Sequence, residues 1–133
     1  MTHSSDDTGL LLFAHGARDP QWARPFQAVA DRCRAVRGDD RVALAFLQFM
    51  TPDLVAGGKA LVAEGCTAVE VVPLFLGAGG HVRKDIPVLM ARLQADHPQV
   101  RFTLRQAIGE ADAVVAAMAE VALAGNAVQV PVR

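Results

Sequence analysis

Four short apolar runs, Leu10–Ala14, Val42–Leu47, Ala68–Leu74 and Val100–Leu104, recur along the chain, and a segment of helical periodicity follows each. No other feature restricts the fold as much. Short apolar runs bounded by turn residues read as strands, and continuous apolar content means burial on both faces. The intervening segments carry apolar residues at helical spacing. Phe26, Val29, Ala30, Cys33 and Val36 form one stripe, Ile86, Leu89, Met90 and Leu93 another, and Val114, Val115, Met118 and Val121 a third. Asp19-Pro20 is expected to open the first helix and Gly38 to stop it. Thr51-Pro52 should open a second helix that runs to Gly65, with Gly57-Gly58 weakening its middle. A third helix is predicted from about Asp85 to Ala95, ended by His97-Pro98, and a fourth from Glu110 to Leu123.

Strictly alternating strands and helices require right-handed crossovers and a mostly parallel sheet. The expected architecture is a three-layer α/β sandwich. Its four-stranded, mostly parallel sheet takes the flavodoxin-like strand order 2-1-3-4, with helices on both faces. In that order the chain direction reverses between strands 1 and 3, and ligands bind there, beyond the C-terminal strand ends. Residues 1–9 read as a flexible leader, 10–124 as one domain, and 125–133 as a tail without an assigned structure.

The bulk numbers agree with one such domain. The chain has 133 residues, enough for a core without disulfides or a structural metal. It is 52% hydrophobic with a net charge of −1, which argues against disorder and against a nucleic-acid partner. No apolar run approaches membrane-spanning length, so no membrane partner is expected. The start, MTHSSDDTG, lacks a positive region, and LLLFA is too short for a signal-peptide core, so a cytoplasmic protein is expected. Cys33 and Cys66 form no CxxC motif and read as two reduced thiols.

Topology then pairs two histidines. His15 follows strand 1, and His81 lies on the loop expected after strand 3. These strands are neighbours in the expected order, and both loops leave the same sheet edge. Either histidine alone would read as a loop residue bonded to backbone. Together at a switch point they read as functional. Two neutral imidazoles suit a borderline transition metal, or proton transfer near neutral pH. Four ligands for a closed zinc site are not found. His3 in the leader and His97 at a helix end are weak candidates.

The stretch PLFLGAGGHVRKDIP surrounds His81. Gly77, Gly79 and Gly80 would allow positive φ and close approach of backbone to a flat ligand. Phe75 and Leu76 would wall the crevice, and Arg18, Arg83 and Lys84 could meet carboxylates or phosphates. GAGG is not GxGxxG and does not follow the first strand, so it is a weak nucleotide signal.

The segments LLFAHGARDPQWARPF and VVPLFLGAGGHVRKDIP, in this order and spacing, resemble the short form of the class II tetrapyrrole chelatases. These are the sirohydrochlorin cobaltochelatases and ferrochelatases of vitamin B12 and sirohaem synthesis. The resemblance spans about Leu10 to Leu104. It implies insertion of a divalent metal substrate, Co2+, Fe2+ or Ni2+, into sirohydrochlorin or a related tetrapyrrole, without ATP or an organic cofactor. It implies a homodimer, and it makes His15 and His81 the metal-binding, catalytic pair. Gly16, Arg18, Gln48, Phe75, Leu76, Gly79, Gly80, Arg83 and Lys84 are the expected substrate contacts. Two positions depart from the family pattern. Ala17 stands where serine is frequent, and Gln48 where glutamate is frequent. Glutamine hydrogen-bonds but accepts no proton, so the alternative is a metal- or tetrapyrrole-binding protein without turnover. A histidine phosphatase would carry arginine at the position of Ala14.

Overall fold

The computed structural model describes residues 7–77 and 79–125. His3 and residues 126–133 of the expected tail lie outside them. The strands are β1 (Thr8–Ala14), β2 (Val42–Phe46), β3 (Ala68–Pro73) and β4 (Arg101–Leu104), and the helices are α1 (Arg24–Arg37), α2 (Leu54–Ala63), α3 (Gly80–Asp96) and α4 (Asp112–Ala124). The sheet order is β2-β1-β3-β4, with every pair parallel, as expected. β1 is central, with Phe13 beside Ala45 of β2 and Pro73 of β3.

Side chains alternate across the sheet, so each strand feeds two cores. Leu11, Phe13, Ala45, Val69 and Val71 pack on one face with Leu54 and Leu61 of α2 and Val82, Ile86 and Leu93 of α3. Leu10, Leu12, Ala14, Val42, Leu44 and Val72 pack on the other with Ala30 of α1, supported by Trp22, Phe26 and Cys33.

Several expected boundaries are corrected. β1 begins at Thr8, inside the expected leader. Asp19 does cap through its carboxylate, but what it opens is a 3-10 turn, Pro20–Ala23, that leads into α1. The cap of α2 is Asp53, which accepts from the Ala56 N–H at 2.8 Å, not Thr51. Gly57 and Gly58 are buried contact points of α2 rather than a weak middle. α3 starts at Gly80, several residues before the expected Asp85. The α1 stripe is only partly used, because Val29 and Val36 are exposed. α4 starts at Asp112 and has no buried residue, so its stripe does not join the core among the described residues.

Candidate active site

The C-terminal edge of the sheet is built from three loops. Beyond the paired strands, the Leu47 N–H donates to the Ala14 carbonyl at 2.9 Å and the Gln48 N–H to the His15 carbonyl at 3.1 Å. The loops after β1 and β2 are thus joined at their roots. Gly16 makes this crossing feasible. Its φ is +91°, and a Cβ there would collide with the Gln48 carbonyl oxygen. Only glycine meets both conditions without strain. Gly16 and Gln48, expected as substrate contacts, therefore also shape the loops through their backbones.

His15 is exposed, yet its ring rests on Phe75, with centroids 4.9 Å apart. Phe75 in turn packs on Phe13 at 5.7 Å, and both phenyl groups are buried. The imidazole therefore stands on an aromatic base made by Phe13 of β1 and Phe75 just past the end of β3. Phe75 is the support of His15 rather than an open wall. Leu76, the next residue, is 68% exposed.

His81 is the second residue of α3, not a loop residue. The β1–β3 pairing places the loop bearing His15 next to the connection that leads to this helix end. Gly79 is the N-cap of α3, and Gly77, Gly79 and Gly80 do not use the positive φ that glycine allows. A Cβ at any of the three would meet nothing within 4 Å, so this connection borders open space. Among the described residues no three His, Cys, Asp or Glu side chains group as a metal site.

The expected cations separate. The Arg18 guanidinium lies over the Phe49 ring, 4.5 Å from its centroid, beside the His15 loop. Arg83 lines a cleft on the β4 side with Phe75, Leu104 and Glu110, and Lys84 is exposed on α3. A second cleft of about 300 Å3 lies between α2 and α3, with Phe13, Leu47, Asp53, Asp85 and Arg92 among its walls. Sequence reasoning missed Phe49, although an aromatic residue just past a strand end was a visible signal.

An open parallel sheet with an exposed imidazole at its switch point defines a class: a small α/β domain that meets its ligand at the strand ends. The CbiX family profile matches residues 9–123, and the chain belongs to that family. It is 32% identical to a sirohydrochlorin cobaltochelatase of Saccharolobus solfataricus over 74% of each chain. It is 30% identical to a sirohydrochlorin ferrochelatase of Bacillus subtilis, over 82% of this chain and 42% of that one. The chain thus spans less than half of the longer relative's length. A CbiX protein structure from Marinobacter aquaeolei superposes with a TM-score of 0.76 at 32% identity, covering 88% of this chain and 95% of that one.

Proposed function

We propose that the protein inserts a divalent metal, Co2+ or Fe2+ with Ni2+ as a third candidate, into sirohydrochlorin or a related tetrapyrrole, as a cytoplasmic enzyme without ATP or an organic cofactor. The observation that carries this reading is the exposed His15 imidazole, seated on Phe75 beside the connection to the helix that begins with Gly80-His81. The metal bonds to four macrocycle nitrogens while two pyrrole N–H protons leave. A neutral imidazole can hold the metal through its lone pair or accept one of these protons. Two histidines hold a metal less completely than a four-ligand site, which favours its release to the macrocycle. Arg18, Arg83 and Lys84 supply charge for the peripheral carboxylates.

The test is visible-absorbance monitoring of sirohydrochlorin with Co2+, Fe2+ or Ni2+. The parent chain should exceed the uncatalysed rate, and His15→Ala and His81→Ala should each remove that excess. An undiminished rate in His81→Ala would end its assignment.

Gln48 favours a second reading. With glutamine where the family often carries glutamate, the protein would bind metal or tetrapyrrole without inserting. In that case the parent shows binding and no acceleration, and Gln48→Glu restores turnover.

We also infer a homodimer joined through α4. Val115, Met118 and Val121 of this helix are 50%, 46% and 59% exposed, and an apolar groove runs along it between Val114, Ala117 and Met118. A second copy is the favoured occupant because the longer relative carries further chain beside the part that this domain matches.

A further inference from the structure

Phe49 has a positive φ of 67°, the only non-glycine residue to do so among the described residues. Bulky L-residues avoid this region for steric reasons, and glycine would occupy it freely. Burial does not offset that cost, because Phe49 remains 56% exposed. A strained, exposed aromatic side chain at a functional edge points to a role outside folding.

Its position defines the role. The Gln48 N–H donates to the His15 carbonyl, so Phe49 follows directly on the crossing that joins its loop to the loop of His15. Arg18, from the His15 loop, stacks on its ring at 4.5 Å and fixes it in place. The strand order sets the other side. β1 lies between β2 and β3, so the loop carrying Phe49 and the loop carrying Leu76 flank the loop carrying His15. Leu76 is 68% exposed. Two projecting apolar side chains thus stand on either side of a ligand-competent imidazole.

We propose that Phe49 is a wall of the macrocycle site, opposite Leu76, and that Arg18 both braces it and reads a carboxylate on the macrocycle rim. A flat, apolar macrocycle with an acidic edge matches this pairing: its face packs on the ring, and its edge meets the guanidinium. The proposal rests on the tetrapyrrole reading above and adds a binding residue to it. Phe49 fixes the macrocycle, whereas the histidines handle the metal.

The test titrates the full chain with sirohydrochlorin in the absence of metal. Quenching of Trp22, the single tryptophan, reports binding from the turn that follows the His15 loop. Phe49→Ala and Phe49→Gly should weaken macrocycle binding about tenfold, the loss expected from removing one packed aromatic side chain. Calorimetric Co2+ affinity should stay at the parent value in both variants. Phe49→Gly should also melt no lower than the parent, because glycine relieves the backbone conformation. Weaker binding without lost stability separates a binding wall from a structural residue. Macrocycle affinity within twofold of the parent in both variants overturns the wall. A parent chain that does not bind sirohydrochlorin fails before any variant is compared, and the tetrapyrrole reading falls with the wall.

Discussion

At Gly16 a single hydrogen atom decides whether two loops can cross. The residue has φ +91° and faces the Gln48 carbonyl oxygen, so any side chain must displace one loop from the other. Because Gln48 also donates to the His15 carbonyl, the displacement is transmitted to the imidazole. Gly16→Ala should therefore cost stability of about 1–2 kcal/mol and reduce Co2+ affinity, measured by urea unfolding and by calorimetry. Cys66 presents the opposite situation, a reactive group made inert. Burial pushes its thiol pKa above the ordinary cysteine value, and the Arg41 guanidinium beside it only partly opposes this. The folded state thus favours the protonated thiol. Its stabilising contribution is complete below the unfolded pKa and is lost as pH rises through the folded pKa. Cys33 is half-buried and Cys66 buried, so a thiol reagent near pH 8 should label Cys33 first. Cys66 should react only with unfolding. Equal rates would contradict this ordering. The histidine after β1 was legible in sequence because strand ends are legible. The strained φ of Phe49 was not, because it arises from loops that meet only in the folded chain.

Among the elements, the strands were legible because a central parallel strand must be apolar on both faces. The start of α3 was obscured by its glycines and by Pro87, residues that ordinarily mark a break. A signal was nevertheless available. Val82, Ile86, Leu89 and Leu93 continue one stripe a turn earlier, and Val82, Ile86 and Leu93 are buried. That extra turn takes His81 from the expected loop to a helix end, where the helical backbone fixes its position. The glycine pair in α2 was misread for a related reason. Helix propensity counts against glycine, but contact can require it. A Cβ on Gly57 would lie 2.8 Å from Leu11 Cδ1 and 3.1 Å from Ala45 Cβ, and one on Gly58 would lie 2.5 Å from Leu93 Cδ2. Overpacking costs about 1–3 kcal/mol, against a propensity gain of about 1 kcal/mol. Gly57→Ala should therefore lower stability by about 1 kcal/mol net in chemical denaturation, despite alanine's higher helix propensity. A stabilised variant would show that the helix can move off the sheet at little cost.

For the whole molecule, the unused surface of α4 is the feature that one chain leaves unexplained. Its segment is DAVVAAMAEVALA, with charge only at Asp112 and Glu120, yet no residue in it is buried. The sequence made the helix legible but not its partner, since an apolar stripe has the same pattern whether it packs within a chain or between chains. Burial of Val115, Met118 and Val121 against a second copy would supply about 1.5–3 kcal/mol per large side chain before the cost of association. A charge placed in that face would have to lose its hydration without a partner. Met118→Asp should therefore convert a dimeric parent to monomer in analytical ultracentrifugation and leave the melting curve of the monomeric domain intact. The same variant should retain the Co2+ binding proposed for His15, because α4 follows β4 at the edge of the sheet, whereas β1 lies at its centre. If Met118→Asp sediments as a dimer, the interface lies elsewhere. If the parent is a monomer and loss of residues 126–133 increases solvent access to α4, the covering segment is the chain's own tail.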